Sequence, residues 1–321
     1  MSRNWTRYIA KRMTALVCLV FVISLGTYSL MALAPGSLVD SLLGPRGRTP
    51  EAVAAVRQEY HLNDPFLVRY GEWLGGAVRF DFGNSVRTDE SVASGIEQRA
   101  GVTVTLALMA FAMVLLVGVP LGMLAATRKG GALDGGVVSL TTVGVSAPPF
   151  ASGVVLLYLF AVVLGWFPPF GAGQGFLDRL WHLTLPAVAL ALTAAAIVVR
   201  VTRSTLIREL SQDYVVFARA RGISRREVLT RYALRNALVP IVTVSGLVLG
   251  YMVGGAVLVE IAFSLPGLGS FLVDSIQYKD LPAVQGVVIV IAVFILLVNF
   301  LTDLLYVVID PRIRLGGEVD G

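Results

Sequence analysis

Charge is scarce in this sequence, and lysine is the scarcest of the charged types. Only 15% of the 321 residues are Asp, Glu, Lys or Arg, against about 25% in soluble domains. The lysines are Lys11, Lys129 and Lys279 alone. None follows the glycine pattern of a phosphate loop, so no G-x-x-x-x-G-K-[ST] element for ATP hydrolysis is present. A G-x-S-x-G nucleophile elbow and an H-E-x-x-H zinc motif are also lacking. The one cysteine, Cys18, has no internal disulfide partner and no spacing partner for a metal site. His61 and His182 stand alone in different loops and read as structural. No glycine-rich selectivity filter or arginine-repeat span argues for an ion channel or voltage sensor.

What the sequence has instead is apolar surface. Hydrophobic residues make up 56% of the chain and the mean hydropathy is +0.77. They fall in runs long enough to cross ~30 Å of hydrocarbon as helices. Six runs stand out: 8–33, 101–126, 135–164, 185–201, 240–265 and 283–308. The first follows Arg3, Arg7, Lys11 and Arg12. A cleavable leader is its rival reading, because Ala32-Leu33-Ala34 resembles a cleavage site. The run exceeds the ~7–15 residues of a leader core, and Pro35 would follow the cut, so an uncleaved anchor is expected. The third run is too long for one straight helix, and Pro148-Pro149 is expected to divide it. Pro120 predicts a kink in the second. Broken spans persist where protein or a cavity re-satisfies the backbone, which makes Pro120, Pro148 and Pro149 candidates for the lining of a pathway.

Orientation follows from the basic residues. With the N-terminus inside, the inner segments hold 17 of the 26 Lys and Arg residues. The 65-residue outer stretch 35–99 is longer than the ~60 residues over which loop charge governs topology; setting it aside leaves 17 inside against 2 outside. Both termini are expected on the cytoplasmic side. The same placement accounts for the net charge of +5 without nucleic acid.

Two loops carry further signals. Outside, Thr49-Pro50 and Asp64-Pro65 read as helix starts before 51–60 and 66–78, and Phe80 to Ser85 reads as a turn. Tyr60, Phe66, Tyr70, Trp73, Phe80 and Phe82 suit either a cover packed over the spans or a docking surface. Inside, segment 200–235 holds nine arginines. Two short helices are expected there. The first runs 213–221 and ends at Gly222, where a left-handed residue is needed. The second opens at the capping box Ser224-Arg225-Arg226-Glu227. The pair suits a lever that meets a soluble partner; a basic helix lying on anionic lipid fits the same composition.

Polar residues within spans are the remaining candidates. Asn299, Asp303 and Tyr306 share one face of span six, expected to point into protein, in a structural or a substrate-contacting role. Glu260 should lie near the outer face before Pro266-Gly267-Leu268-Gly269. It reads either as an interfacial hydrogen-bonding residue or as part of an outer gate. Gly246, Gly250, Gly254 and Gly255 suggest close packing of span five at a subunit interface or along the path.

Several stretches together resemble the dipeptide/oligopeptide permease family, the membrane subunits of type I ABC importers. In the inner loop they are Asp213-Tyr214-Val215, Ala218-Arg219-Ala220-Arg221-Gly222-Ile223-Ser224 and Arg235-Asn236-Ala237-Leu238-Val239-Pro240. Others are His61-Leu62-Asn63-Asp64-Pro65-Phe66, Gly83-Asn84-Ser85, Gly118-Val119-Pro120-Leu121-Gly122 and His182-Leu183-Thr184-Leu185-Pro186. Near the C-terminus, 260–269 and Asn299, Asp303, Tyr306 and Asp310-Pro311-Arg312-Ile313-Arg314 agree as well. The segment after the first span resembles the B-type subunit of the permease pair. The importer signature begins EAA; here those positions are Val216, Phe217 and Ala218, so the glutamate is missing.

The resemblance implies an all-α integral membrane fold with six spans and an extracytoplasmic helical segment. By segment it implies an anchor (1–34), the outer segment (35–98), a permease core (99–310) containing a coupling loop (202–239), and a tail (311–321). It implies half of a translocation pathway for peptides in the bacterial plasma membrane, with nickel or another small solute as the alternative cargo. Ala218, Arg219, Ala220, Arg221, Gly222, Ser224 and Glu227 would meet the ATPase. The implied partners are a second, C-type permease, one or two ABC ATPase subunits that bind the ATP and magnesium, a solute-binding protein and the bilayer. This chain itself would hold no cofactor and no metal. A fused exporter would need an ATPase domain and a membrane enzyme would need a polar cluster at depth; neither is found. A scaffold or receptor subunit remains as the rival of a different class.

Overall fold

In the computed structural model, residues 2–33, 49–59 and 63–309 are described. Tyr60, His61 and the tail lie outside the described residues, as does all of the outer segment before Thr49. The helices are α1 (Ser2–Leu33), α2 (Pro50–Glu59), α3 (Phe66–Val78), α4 (Val92–Thr127), α5 (Ala132–Ser146) and α6 (Pro149–Val163). They continue with α7 (Phe176–Leu210), α8 (Asp213–Ala220), α9 (Arg225–Ala262), α10 (Leu268–Gln277) and α11 (Leu281–Ile309). Among the described residues the only β pairing is an isolated bridge between Asn84 and Ser91.

Helices α1, α4, α7, α9 and α11 are each long and apolar enough to cross a membrane. Helices α5 and α6 pass the same test as a pair bent by 102°, which brings the spans to six. The bend falls where the proline pair was expected to place it. Ala147 and Pro148 are extended, with ψ of 116° and 140°, and α6 opens at Pro149. By contrast α4 runs unbroken through Pro120.

The chain forms two compact units, one of Met1–Trp5, Val102–Pro266 and Ile295–Gly321, the other of Thr6–Gly101 and Gly267–Phe294. The first is organised around α7. In α7, 67% of the most apolar stretch is buried, against 39% in α4, α9 and α11 and 6% in α1. Its inward residues include five alanines, Ala187, Ala189, Ala191, Ala194 and Ala196, among larger ones such as Leu183, Leu190 and Leu206. Lipid offers little hydrophobic drive for helix association, so close backbone approach has to supply the packing energy. Gly122 shows the consequence, since a Cβ there would lie 2.6 Å from Thr202 Cβ and 2.8 Å from the Val199 carbonyl oxygen. Leu106 and Val114 of α4, Leu190 and Val198 of α7, and Met252 and Val259 of α9 complete one core.

The second unit joins α1 and α3 through aromatic edges. Tyr28 packs on Phe66, Tyr70 and Trp73, and Ser24 Oγ lies 2.7 Å from Tyr70 Oη. The expected turn at 80–85 is tied by Ser85, which donates to Asp280 Oδ2 at 2.5 Å and accepts from the amides of Arg87 and Thr88. Thr49 caps α2 as its sequence implied, accepting from the Ala52 amide. At α3 the cap is Pro65, one residue later than read from Asp64-Pro65.

The basic loop requires a correction. A short helix, α8, does end before Gly222, but the second is not separate. It opens at Ser224 and continues through a π-helical stretch, Val228–Ala233, into span five. Pro240, read as the start of that span, lies inside it. A membrane helix tolerates an interior proline when neighbouring groups re-satisfy the backbone.

Candidate functional site

The elbow between α7 and α9 is built from local backbone chemistry. Gly222 has φ of 77°, and the turn closes with the Ile223 amide on the Ala218 carbonyl at 3.2 Å and the Gly222 amide on Arg219 at 3.0 Å. This is the 6→1 closure that a left-handed C′ residue permits. Ser224 Oγ then accepts the Glu227 amide at 3.3 Å. The reciprocal half of the capping box is replaced by an ion pair from Glu227 to Arg231 at 2.8 Å.

One face of α8 is anchored and the other is not. Val215 and Ala218 are buried with Val228, and Leu210, Tyr214, Ile223 and Tyr232 pack around them. Tyr214 Oη donates to Glu209 at 2.7 Å and accepts from Asn236 at 3.0 Å, so one hydroxyl joins the ends of α7 and α9. Burial, then the bond to the Glu209 carboxylate, holds the Tyr214 hydroxyl above the usual phenol value; it is a neutral donor at physiological pH. On the outer face Phe217 is 71% exposed and Val216 56%. Arg219, Ala220, Arg221 and Ser224 are exposed beside them, while Glu227 is half-buried. The outer face of α8 thus presents two apolar side chains beside exposed arginines.

Glu260 lies two residues before the end of α9, close to the turn at Pro266 as its position in the sequence implied. It is 0% exposed and accepts a hydrogen bond from Thr103 Oγ1 of α4 at 2.6 Å. The partner is a neighbouring span and not the loop expected of it, and in this state the fully buried carboxyl presents nothing to a docking protein. The glycine stripe is also used internally. A Cβ on Gly246 would collide with Thr302, one on Gly250 would lie 3.7 Å from Asn299 Oδ1, and one on Gly255 would meet Leu190 at 3.2 Å. Span five thus packs on α11 and α7 of its own chain, and Gly254 alone of the four meets nothing within 4 Å. Asn299 faces α9, as the inward reading of that face requires, and Asp303 is half-buried. The side chain of Tyr306 lies outside the described residues. Pro266 and Gly267 lead into α10, where Gly267 is the N-cap and its amide donates to Ser270 Oγ at 3.0 Å.

Residues missed in the sequence are Asp134, Arg200 and Arg203. Asp134 and Arg203 form an ion pair at 2.5 Å between α5 and α7. The usable signal was charge inside helices of a chain that otherwise avoids it.

Five helices long and apolar enough to cross a membrane, with a sixth span made of a bent pair, define a multi-pass membrane protein. Residues 118–315 match the family described as binding-protein-dependent transport system inner membrane component, and residues 5–107 match its N-terminal membrane component. A provisionally named peptide transport system permease protein of Brucella abortus (strain 2308) is 40% identical over 313 residues, covering 96% of this chain and 99% of that one. The di/tripeptide transport system permease protein DppB of Pseudomonas aeruginosa (strain UCBPP-PA14) is 36% identical over 330 residues, covering 96% and 98%. A chain from inward-facing conformations of the MetNI methionine ABC transporter shares the fold at a TM-score of 0.57 and 18% identity, over 67% of this chain and 96% of that one. The chain belongs to the family of binding-protein-dependent transport system inner membrane components, which bears out the resemblance carried by its loop and span motifs.

Proposed function

We propose that this chain forms half of the translocation pathway of an ATP-driven importer of di- and oligopeptides in the bacterial plasma membrane. Both termini face the cytoplasm, and the α8–α9 elbow docks an ATPase subunit through Val216, Phe217 and the surrounding arginines. The observation that carries this reading is the exposed apolar tip of α8 beside the left-handed Gly222 stop: a firmly anchored helix with an unpartnered face, joined directly to two spans. The names of the relatives support the peptide cargo. A second permease completes the path, a solute-binding protein delivers cargo, and the ATPase subunits hold ATP and magnesium. The chain itself performs no hydrolysis. The Ala147-Pro148-Pro149 break, with Pro120 of α4, belongs to the lining of the path.

Reconstitution of the four kinds of subunit in proteoliposomes tests this. Labelled di- and tripeptides should accumulate only with ATP and binding protein, and Phe217→Ala should lower ATPase association. Peptide uptake that persists without ATP, or a complex that takes up Ni²⁺ and no peptide, overturns the assignment.

A further inference from the structure

Three side chains on one face of α7 reach across to α5 in succession. Thr193 Oγ1 donates to the Ala147 carbonyl at 2.8 Å. Arg200 donates from Nη2 to Thr142 Oγ1 at 2.8 Å and from Nε to Thr141 Oγ1 at 3.4 Å. Arg203 grips both oxygens of Asp134, at 2.5 Å from Nε and 2.8 Å from Nη2. Positions 193, 200 and 203 step by seven and three, which keeps them on one helical face. Between the rungs the helices approach closely, since a Cβ on Gly144 would lie 3.1 Å from Ala196 Cβ.

Each end of this seam has a reason to be polar. At Ala147 the helix stops before two prolines, which carry no N–H. The Thr193 hydroxyl satisfies a carbonyl that lipid could not. At the other end Asp134 is 4% exposed and also accepts the Gly130 amide at 2.9 Å. One carboxylate therefore fixes both Arg203 and the turn that leads into α5. Helix α7 has 35 residues and is ~52 Å long at 1.5 Å per residue, well beyond the ~30 Å hydrocarbon core. Its arginine-bearing end runs past that core and reaches α8 through Ser211 and Gln212 alone.

We infer that this seam is the transmission element of the transporter. Arg203 and Asp134, with Arg200 and Thr142, are positioning residues that make α5 follow α7 when α8 is displaced, and so carry the motion to the Ala147-Pro148-Pro149 break. The inference rests on the ATP-driven function proposed above. Apolar helix surfaces slide past one another in small shear motions. A guanidinium fork on a carboxylate is held in two directions at once, so it resists both sliding along the helix axis and rotation about it. Without the fork, α7 would move and α5 would lag.

The test measures solute transported per ATP hydrolysed by assembled complexes in proteoliposomes, for wild type, Arg203→Met, Asp134→Asn, the double variant and Arg203→Lys. In the single variants the ratio should fall about two- to thirtyfold, the range over which residues along a coupled element alter coupling. ATPase activity should still respond to loaded binding protein. The double variant should be no worse than either single one, and Arg203→Lys should restore part of the ratio. A purely structural pair would lower the amount of complex and leave the ratio per complex at the wild-type value, which overturns the inference. If Arg203→Met does not assemble, Arg200→Gln removes a rung without stranding a buried carboxylate, and an unchanged ratio there overturns it equally. A wild-type complex without ATP-driven uptake overturns the function and the inference together, whereas wild-type uptake with unaffected variants overturns the inference alone.

Discussion

Replacing Gly222 isolates the backbone of the elbow from everything around it. The residue has φ of 77°, and nothing lies within 4 Å of a Cβ built on it. A substitution there therefore carries a torsional cost without a steric one. For an ordinary L-residue the left-handed region costs roughly 1–2 kcal/mol, a factor of about 5–30 in the population of the native turn. Asparagine tolerates that region better and a β-branched residue worse. The order of coupling should be Gly, then Asn, then Ala, then Val. Losing the turn frees the Ile223 amide from Ala218 and the Gly222 amide from Arg219, so α8 is no longer held at a fixed angle to α9. Insertion of the spans should be untouched. The assay compares substrate-stimulated ATPase activity with uptake in the same proteoliposomes, and Gly222→Val should hydrolyse ATP while importing several-fold less. Wild-type uptake per ATP in Gly222→Val, or an Asn variant as damaged as the Val variant, would refute the torsional account.

Gly122→Ala places a methyl 2.6 Å from Thr202 Cβ and 2.8 Å from the Val199 carbonyl oxygen; an overpacking cost of about 1–3 kcal/mol should lower the melting temperature in detergent. Gly254→Ala, with open space around it, is the control, and equal melting of the two would count against close α4–α7 packing. Glu260→Gln keeps an acceptor for Thr103 and should melt close to wild type. Glu260→Ala removes the acceptor of the buried Thr103 hydroxyl, and a buried donor left without its partner costs about 1–3 kcal/mol; a variant as stable as wild type would contradict the buried position. Tyr214→Phe should loosen the elbow, seen as faster proteolysis within 211–224. The hydroxyl's pKa is raised in the folded chain, so its contribution is complete below the unfolded value of about 10 and lost only as pH rises through the higher folded value. The difference between Tyr214→Phe and wild type should therefore stay flat from about pH 6 to 9, and a difference that collapses within that window would show the hydroxyl is not the group responsible.

The spans were legible because hydrocarbon imposes a length, but their ends were not. The fourth apolar run covers 185–201, whereas α7 runs Phe176–Leu210. Hydropathy marks where a helix meets lipid; hydrogen bonding carries it on into the polar region until a cap or turn stops it. The capping box at Ser224 was a true start signal, confirmed by the Glu227 amide bond. The mistake was to end that helix before Pro240. Proline marks a boundary in water, where a freed carbonyl is solvated and the helix has little else to hold it. Inside a packed membrane helix the surrounding contacts outweigh one lost bond.

Within the candidate site, what could be read depended on how far along the chain the controlling partner lies. Gly222, Ser224 and Pro148-Pro149 act on their immediate neighbours, so their residue types alone announced a turn, a cap and a break. Glu260 depends on Thr103, 157 residues away, and Arg203 on Asp134, 69 residues away; no local pattern contains that information. The glycines of span five carried the right message, close approach, without the address. That address proved to be α11 and α7 of the same chain. One physical rule would have narrowed the search. A charged side chain buried among spans is costly unless it is paired, and this chain has few charges to place. Asp134 stands one residue before an apolar run, and Arg200 and Arg203 stand at the end of another. Under that rule they are expected partners rather than loop decoration, because antiparallel neighbours bring the start of one span beside the end of the next.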